Sequence, residues 1–234
     1  MSQLKEIFQT GKRTIEKFII YHSNAHVQVE RTMEYLGSDY GGWCICSENI
    51  DEKSIIYSFG IGEDISFDLA MIEKYGVDIY AFDPTPKSIK WIREQRLPKE
   101  FKLFEYGIAN FDGIALFNPP ENPDFVSYSM IDKPTSSTQR AIEAKVYRLE
   151  TIMNMLGHQH IDILKMDIEG AEYPVIQDML LCKIKVRQLL VEFHHRFENI
   201  GIKETKKAIK LLVKNGYKIF HISSSNEEYS FIRD

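Results

Sequence analysis

Ser54-Ile55-Ile56-Tyr57-Ser58-Phe59-Gly60-Ile61-Gly62-Glu63-Asp64 is the stretch on which the fold turns. Its first half is a short, nearly continuous apolar run, as expected of a strand buried on both faces of a parallel sheet. Gly60 and Gly62 break the run. Ile65, Leu69 and Ile72 then recur at helical spacing, and Gly76 stands where a left-handed residue would end that helix. A strand, a glycine turn and a helix in this order open a βαβ unit. The turn is a place where backbone can approach a ligand closely, because two side chains are missing from it.

Downstream the alternation repeats. Residues 78–82 read as a second strand with Asp83 at its end, and Pro86 opens a helix that runs to about Arg96. Residues 101–106 read as a third strand. The segment 110–133 is irregular, with short strands at 114–117 and 126–130 flanking a proline-rich turn, which suggests an inserted hairpin. Strands are expected at 143–148, 161–166 and 186–193, with helices at 149–156, 170–181 and 203–215. Gly157 and Gly216 close two of those helices. The last two strands, 217–222 and 229–232, are joined by Ser223-Ser224-Ser225-Asn226. That link is too short for a parallel crossover, so one of the two runs antiparallel. The expected fold is α/β, with a mostly parallel sheet and one antiparallel strand near the C-terminus.

Upstream, residues 1–50 read as a helical and irregular extension, and 51–234 as the main domain. Leu4, Ile7, Phe8, Ile15, Phe18 and Ile19 recur near helical spacing. Such an amphipathic helix can lie on a membrane surface, but packing on the domain or against a second copy of the chain is the favoured reading, which makes it a candidate homo-oligomer surface.

Composition bounds the function classes. The 234 residues are 44% hydrophobic and 27% charged, ordinary for a single domain with a real core. The net charge of -5 and a pI near 5.9 provide no general basic field, so no nucleic-acid partner is expected. No stretch approaches the roughly 20 apolar residues of a membrane span. The first residues lack the pattern of a signal peptide. The three cysteines are Cys44, Cys46 and Cys182. An odd, sparse count is no disulfide framework, and Cys44-x-Cys46 lacks the second ligand pair of a closed zinc site. Reduced thiols and a cytoplasmic location are the expectation.

In open α/β sheets ligands bind beyond the carboxyl ends of the strands. The first such end is Phe59-Gly60-Ile61-Gly62-Glu63-Asp64, so Phe59, Gly60, Gly62 and Asp64 are candidate cofactor contacts. A dinucleotide fingerprint would place a third glycine where Asp64 or Ile65 stands. An aspartate there would repel a pyrophosphate but not a sulfonium. Asp83 ends the second strand about 20 residues on, where a carboxylate can take both ribose hydroxyls; the alternative is a turn aspartate before Pro84.

Two further ends carry charge. Asp162-Ile163-Leu164-Lys165-Met166-Asp167-Ile168-Glu169-Gly170-Ala171-Glu172 places Lys165 inside an apolar strand, where it needs a partner, and Glu169 or Glu172 is positioned to supply one. The dipole at the helix start is the simpler account of those two glutamates. Val191-Glu192-Phe193-His194-His195-Arg196 ends the next strand. If the two strands are neighbours, Asp167, Glu192 and His194 converge as candidate catalytic residues. A histidine ordinarily titrates near neutral pH, so His194 is the preferred general base, with Asp167 the alternative; the simpler account of a lone histidine there is structural. Neighbouring residues on a strand point to opposite faces, so His195 should face away from the site. Two carboxylates and a histidine also suit a divalent metal, but no metal is assigned from the sequence.

Val146-Tyr147-Arg148-Leu149-Glu150-Thr151-Ile152, followed by the segment 161–172 quoted above, resembles the signature of the FkbM-type methyltransferases. Tyr57-Ser58-Phe59-Gly60-Ile61-Gly62, Ala81-Phe82-Asp83-Pro84 and Glu192-Phe193-His194 match that family in order and spacing, so the resemblance covers about Trp43 to Phe197. It implies the Rossmann-like fold of class I methyltransferases, S-adenosyl-L-methionine as cofactor, and methyl transfer to a hydroxyl of a sugar, glycan or natural-product acceptor. One departure stands out. Many class I enzymes carry an acidic residue at the position of Ser58, where it holds the methionine amine, and its absence leaves Glu63, Asp64 or the Asp167 end for that work. The competing readings are an NAD-dependent sugar oxidoreductase or epimerase, and a non-catalytic methyltransferase-like binding module.

Overall fold

The computed structural model describes residues 26–120, 127–130 and 140–234. The amphipathic segment expected near the N-terminus lies outside the described residues. The first described elements are an antiparallel hairpin, β1 (Met33–Leu36) and β2 (Trp43–Cys46). β3 (Ile56–Phe59) leads through the glycine turn into α1 (Ser66–Tyr75), β4 (Ile79–Phe82), α2 (Pro86–Arg93) and β5 (Phe101–Phe104). A small sheet follows, made of β6 (Gly107–Ile108), β7 (Gly113–Phe117) and β8 (Ile142–Tyr147). The chain continues through α3 (Leu149–Leu156), β9 (Ile161–Met166), α4 (Glu172–Leu181) and β10 (Val186–Glu192). α5 (Ile202–Lys214), β11 (Lys218–Ile222) and β12 (Glu228–Ile232) complete it.

Seven strands form the central sheet in the order β11-β12-β10-β9-β3-β4-β5. β12 runs antiparallel to both of its neighbours, and the other pairings are parallel. This is the class I methyltransferase arrangement. The chain moves outward from β3 to β5, then returns to β9 on the other side of β3 and moves outward the opposite way. Strand order therefore reverses between β3 and β9, and a crevice opens at their carboxyl ends.

Each strand divides its side chains between two cores, because successive residues face opposite ways. On β3, Tyr57 and Phe59 join the core covered by α3, α4 and α5, while Ile56 joins the core covered by α1, α2 and the hairpin. Phe59 stacks on Phe82 with ring centroids 4.2 Å apart. Full burial of such a ring contributes about 1.5–3 kcal/mol. The helix ends follow local rules: Gly76 and Gly157 take left-handed φ values of 67° and 77°, and the Gly76 N–H returns to the Ile72 carbonyl.

Two segments depart from the sequence expectation. The described part of the N-terminal extension, expected to be irregular, forms a hairpin, and its second strand packs into the domain core. Trp43, Cys44, Ile45 and Cys46 are all buried. The Cys46 N–H donates to Gln188 Oε1 and Gln188 Nε2 donates to the Cys46 carbonyl, both at 2.8 Å. Ser230 Oγ donates to the Cys44 carbonyl at 2.8 Å. Central-strand side chains thus satisfy the buried backbone of β2, as burial requires. Second, the strand expected at 126–130 is, among the described residues, one antiparallel bridge between Ser129 and Asn118. No helix among the described residues is long and apolar enough to cross a membrane.

Candidate active site

A cleft of about 490 Å³ opens at the carboxyl ends of β3, β4, β9 and β10. The glycine turn, Asp83 and Thr85 line one part; Asp167, Glu169, Glu192 and Arg196 line another. The small sheet contributes Gly107, Ile108 and Phe117, and Gly41 to Trp43 close it from the hairpin side.

The turn residues divide their duties. Gly60 has φ 73°, and a β-carbon there would meet the Asp167 carbonyl oxygen at 1.6 Å. Its missing side chain makes room for the neighbouring strand end. Gly62, at φ 54°, donates its N–H to Asp83 Oδ2 at 3.0 Å. Asp83 is buried, and its Oδ1 also accepts from the Thr85 N–H at 2.9 Å and from Thr85 Oγ1 at 2.6 Å. Three of about four lone-pair positions are therefore engaged, and one remains for a ligand hydroxyl. The turn role and the ribose role are compatible. Burial pushes the Asp83 carboxyl above the usual range, against the pull of Thr85 and Gly62.

Asp64 accepts from Ser38 Oγ at 2.7 Å and from the Ser66 N–H at 2.8 Å. Burial opposes its charge, but these bonds outweigh it and hold its carboxyl below the ordinary value. Asp64 thus presents a fixed negative charge beside the turn. The ring of Phe59 is buried in the core, so only its backbone is available to a cofactor.

Asp167, Glu192 and His194 do meet. One ligand atom from each lies within 4.8 Å of the others. β9 and β10 are paired in parallel with Met166 beside Val191, so their ends reach the crevice together. His194 is fully buried. Its Nε2 lies 3.5 Å from Asp167 Oδ1 and 3.6 Å from oxygens of both Glu169 and Glu192. Its Nδ1 lies 2.9 Å from Glu172 Oε1, along a bent rather than in-line approach. Burial opposes a charge on the ring, but Glu172 and the facing carboxylates prevail and push its pKa up to about 10. Burial and the nearby Glu192 raise the Asp167 carboxyl well above its usual range. Glu192 also pairs with Arg196 at 2.7 Å, and Arg196 reaches Glu227 at 3.4 Å.

Neither glutamate expected to neutralise Lys165 does so. Glu172 is fully buried and is occupied by the Ile168 and Gly170 N–H groups, at 3.0 and 3.2 Å, and by His194. Glu169 faces His194 as well. Lys165 donates instead to the Gly60 carbonyl at 3.1 Å and lies 5.6 Å from the centre of the Trp43 ring. Strand register explains this: Lys165 pairs with Ser58 on β3, which aims it beneath the glycine turn rather than toward α4.

The sequence reading missed Asp68. It sits in the first turn of α1, where a carboxylate is unremarkable, yet it is buried and burial pushes its pKa up to about 6. Of the two aromatic residues near the hairpin turn, Trp43 packs in the core while Tyr40 stands at the cleft rim, 93% exposed. His195 is buried away from the cluster, and burial, with Arg196 and His194, pushes its pKa down to about 4.

The sequence profile of the methyltransferase FkbM domain matches residues 54–219. That interval begins just before β3 and leaves the hairpin outside. A curated relative from Rattus norvegicus, named Probable methyltransferase-like protein 24, is 25% identical over 177 residues, 71% of this chain and 42% of that protein. Its Homo sapiens counterpart is 26% identical over 198 residues, 76% of this chain and 47% of that protein. The chain spans less than half the length of these curated relatives. Among solved structures, the methyltransferase FkbM of Methylobacillus flagellatus KT is similar with a TM-score of 0.49 and 10% identity, covering 80% of this chain and 45% of that one. Aeropyrum pernix fibrillarin, solved with natively bound S-adenosyl-L-methionine, has a TM-score of 0.41 and 11% identity over 80% of this chain and 69% of that one.

Proposed function

The chain belongs to the methyltransferase FkbM domain family, and from that premise we propose that it is an S-adenosyl-L-methionine-dependent O-methyltransferase acting on an uncharged hydroxylated acceptor, such as a sugar of a glycan. The observation that carries this reading is the charge of the cleft. Among the described residues, nine carboxylate side chains line it against two cationic ones, Lys165 and Arg196. Such a site favours the sulfonium and ammonium of the cofactor and repels phosphate, so anionic acceptors, nucleotide sugars included, are disfavoured.

The residues fit the cofactor. Asp83 keeps a lone-pair position for a ribose hydroxyl, Gly62 removes the side chain that would block approach, and Asp64 offers a fixed charge to an amine. Lys165, at the base of the cleft, is the cation on hand for a carboxylate. When bound, S-adenosyl-L-methionine supplies a methyl carbon that an acceptor oxygen can take as the C–S electron pair returns to sulfur. The protein's task is to orient that oxygen, which accounts for most of the rate, and to receive its proton.

Asp167 is the group we assign to the proton. About a third of its side chain is exposed, at 33%, while His194 has no exposed surface and is reached only past the carboxylates. The base role preferred for His194 therefore passes to Asp167, and His194 holds the cluster together from behind. Calorimetry with S-adenosyl-L-methionine, S-adenosylhomocysteine and NAD tests the cofactor. Transfer of tritiated methyl to neutral glycans and to their phosphorylated counterparts tests the acceptor. Binding of NAD but not of S-adenosyl-L-methionine, or preferential methylation of the phosphorylated set, would refute the reading.

A further inference from the structure

The imidazole of His194 is arranged for more than ion pairing. Its Nε2 is buried and makes no hydrogen bond, although carboxylate oxygens of Asp167, Glu169 and Glu192 stand 3.5, 3.6 and 3.6 Å away, and those of Asp167 and Glu192 also converge on each other. These separations are too long for an N–H···O bond. They suit ligands that share one ion, since donors at about 2.1 Å from a metal stand roughly 3–4 Å from each other. A second observation concerns the opposite edge of the ring. Nδ1 lies 2.9 Å from Glu172 Oε1, an ion-pair distance without in-line hydrogen-bond geometry, and Glu172 is itself fixed by the backbone N–H groups of Ile168 and Gly170. A carboxylate at that edge favours the tautomer with its proton on Nδ1, which leaves the Nε2 lone pair for a metal, as metal-binding histidines are ordinarily arranged.

We propose that Asp167, Glu192 and His194 Nε2 hold a divalent cation, with manganese(II) the best match to two carboxylates and one imidazole. Asp167 and Glu192 line the cleft, so the open coordination positions face the acceptor. A hydroxyl oxygen bound there would become more acidic and be held in place, and its proton would pass to the Asp167 carboxylate oxygen that does not hold the ion, so the two roles assigned to Asp167 use its two oxygens. This deepens the methyl-transfer reading and rests on it for the purpose of the ion, but not for its binding.

The test is manganese(II) titration of the full chain without cofactor, followed by loss of the free-ion electron paramagnetic resonance signal. One tight site per chain is expected. Glu192→Gln should weaken it at least 10-fold, and Glu172→Gln, which loosens the ring without removing a ligand, about 10–100-fold. Asp39→Asn, at the acidic rim outside the cluster, should leave it unchanged. Wild-type chain that binds no manganese(II) overturns the proposal, whatever the variants do. Equal weakening by Asp39→Asn and Glu192→Gln also overturns it, because the ion would then be held by diffuse charge. Circular dichroism confirms that each variant is folded. Calorimetry with S-adenosyl-L-methionine on the same samples reports the cofactor reading separately, so either can fail alone.

Discussion

The carbonyl oxygen of Asp167 occupies the place a side chain on Gly60 would need, 1.6 Å from where its β-carbon would sit. The glycine turn and the strand end that carries Asp167 are thereby one construction. Asp167 donates its N–H to the Phe59 carbonyl at 3.1 Å, and Lys165 fastens the Gly60 carbonyl from below. A change on either side of the β3–β9 seam must move the other.

Gly60→Ala tests this seam. The clash is with backbone, which cannot rotate away, and φ is left-handed. Overpacking and left-handed strain together should cost about 3 kcal/mol or more. That corresponds to a melting temperature lowered by roughly 6 °C or more for a chain of this size. A variant that melts with the wild type would show that the seam is looser than described.

Asp167→Asn removes the proposed proton acceptor while keeping its shape. Turnover should fall on the order of 10²–10⁴-fold. Affinity for S-adenosyl-L-methionine should change only a few-fold, since the side chain is turned toward Glu192 and His194. Near-normal turnover on the true acceptor would move the base assignment elsewhere.

Asp83→Ala should weaken S-adenosyl-L-methionine binding by about 1.5–3 kcal/mol, the range for hydrogen bonds to a charged group. The melting temperature should fall as well, because Gly62 and Thr85 lose their acceptor. Loss of stability with unchanged calorimetric affinity would reduce Asp83 to a turn residue.

Asp68 gives the stability a pH dependence whose sign is fixed by its environment. Burial raises its folded pKa to about 6; the Lys165 charge and the nearby Ser58 hydroxyl oppose the shift, and Asp64 adds to it. A raised folded pKa means that its contribution is fully present below the unfolded value near 4 and is lost as pH rises through about 6. Asp68→Asn should therefore be more stable than wild type by about 2–3 kcal/mol at pH 7.5. The advantage should shrink toward zero near pH 4. Urea melts at both values decide it, and an advantage that grows on acidification would contradict the assignment.

Gln188→Leu tests the attachment of the hairpin. It strips the Cys46 N–H and carbonyl of their buried partner. The expected cost is about 2–4 kcal/mol, from two groups left short of a hydrogen bond. Unchanged stability in urea would show the hairpin to be an appendage.

Much of this architecture is written in short stretches of chain. The apolar run before Gly60, the helical spacing of Ile65, Leu69 and Ile72, and the glycines at 76 and 157 act over a few residues, so they can be read without knowing what lies opposite. The five-residue link 223–227 before the last strand dictates an antiparallel pair for the same reason. The carboxyl-end position of Gly60, Asp83, Asp167 and Glu192 follows from that order of elements.

Other features could be decided only by packing. Trp43-Cys44-Ile45-Cys46 has no alternation to mark it as a strand, because both of its faces are buried, and its partner Gln188 lies 142 residues away. Lys165 is turned under the glycine turn by its register with Ser58, and Glu172 is left to orient His194. A local pattern specifies which way a segment bends and which residues stand at its end. Which side chains then meet depends on strand order and register, and these are set by contacts between residues far apart in the chain, more than a hundred positions for Lys165 with Ser58 and for Cys46 with Gln188.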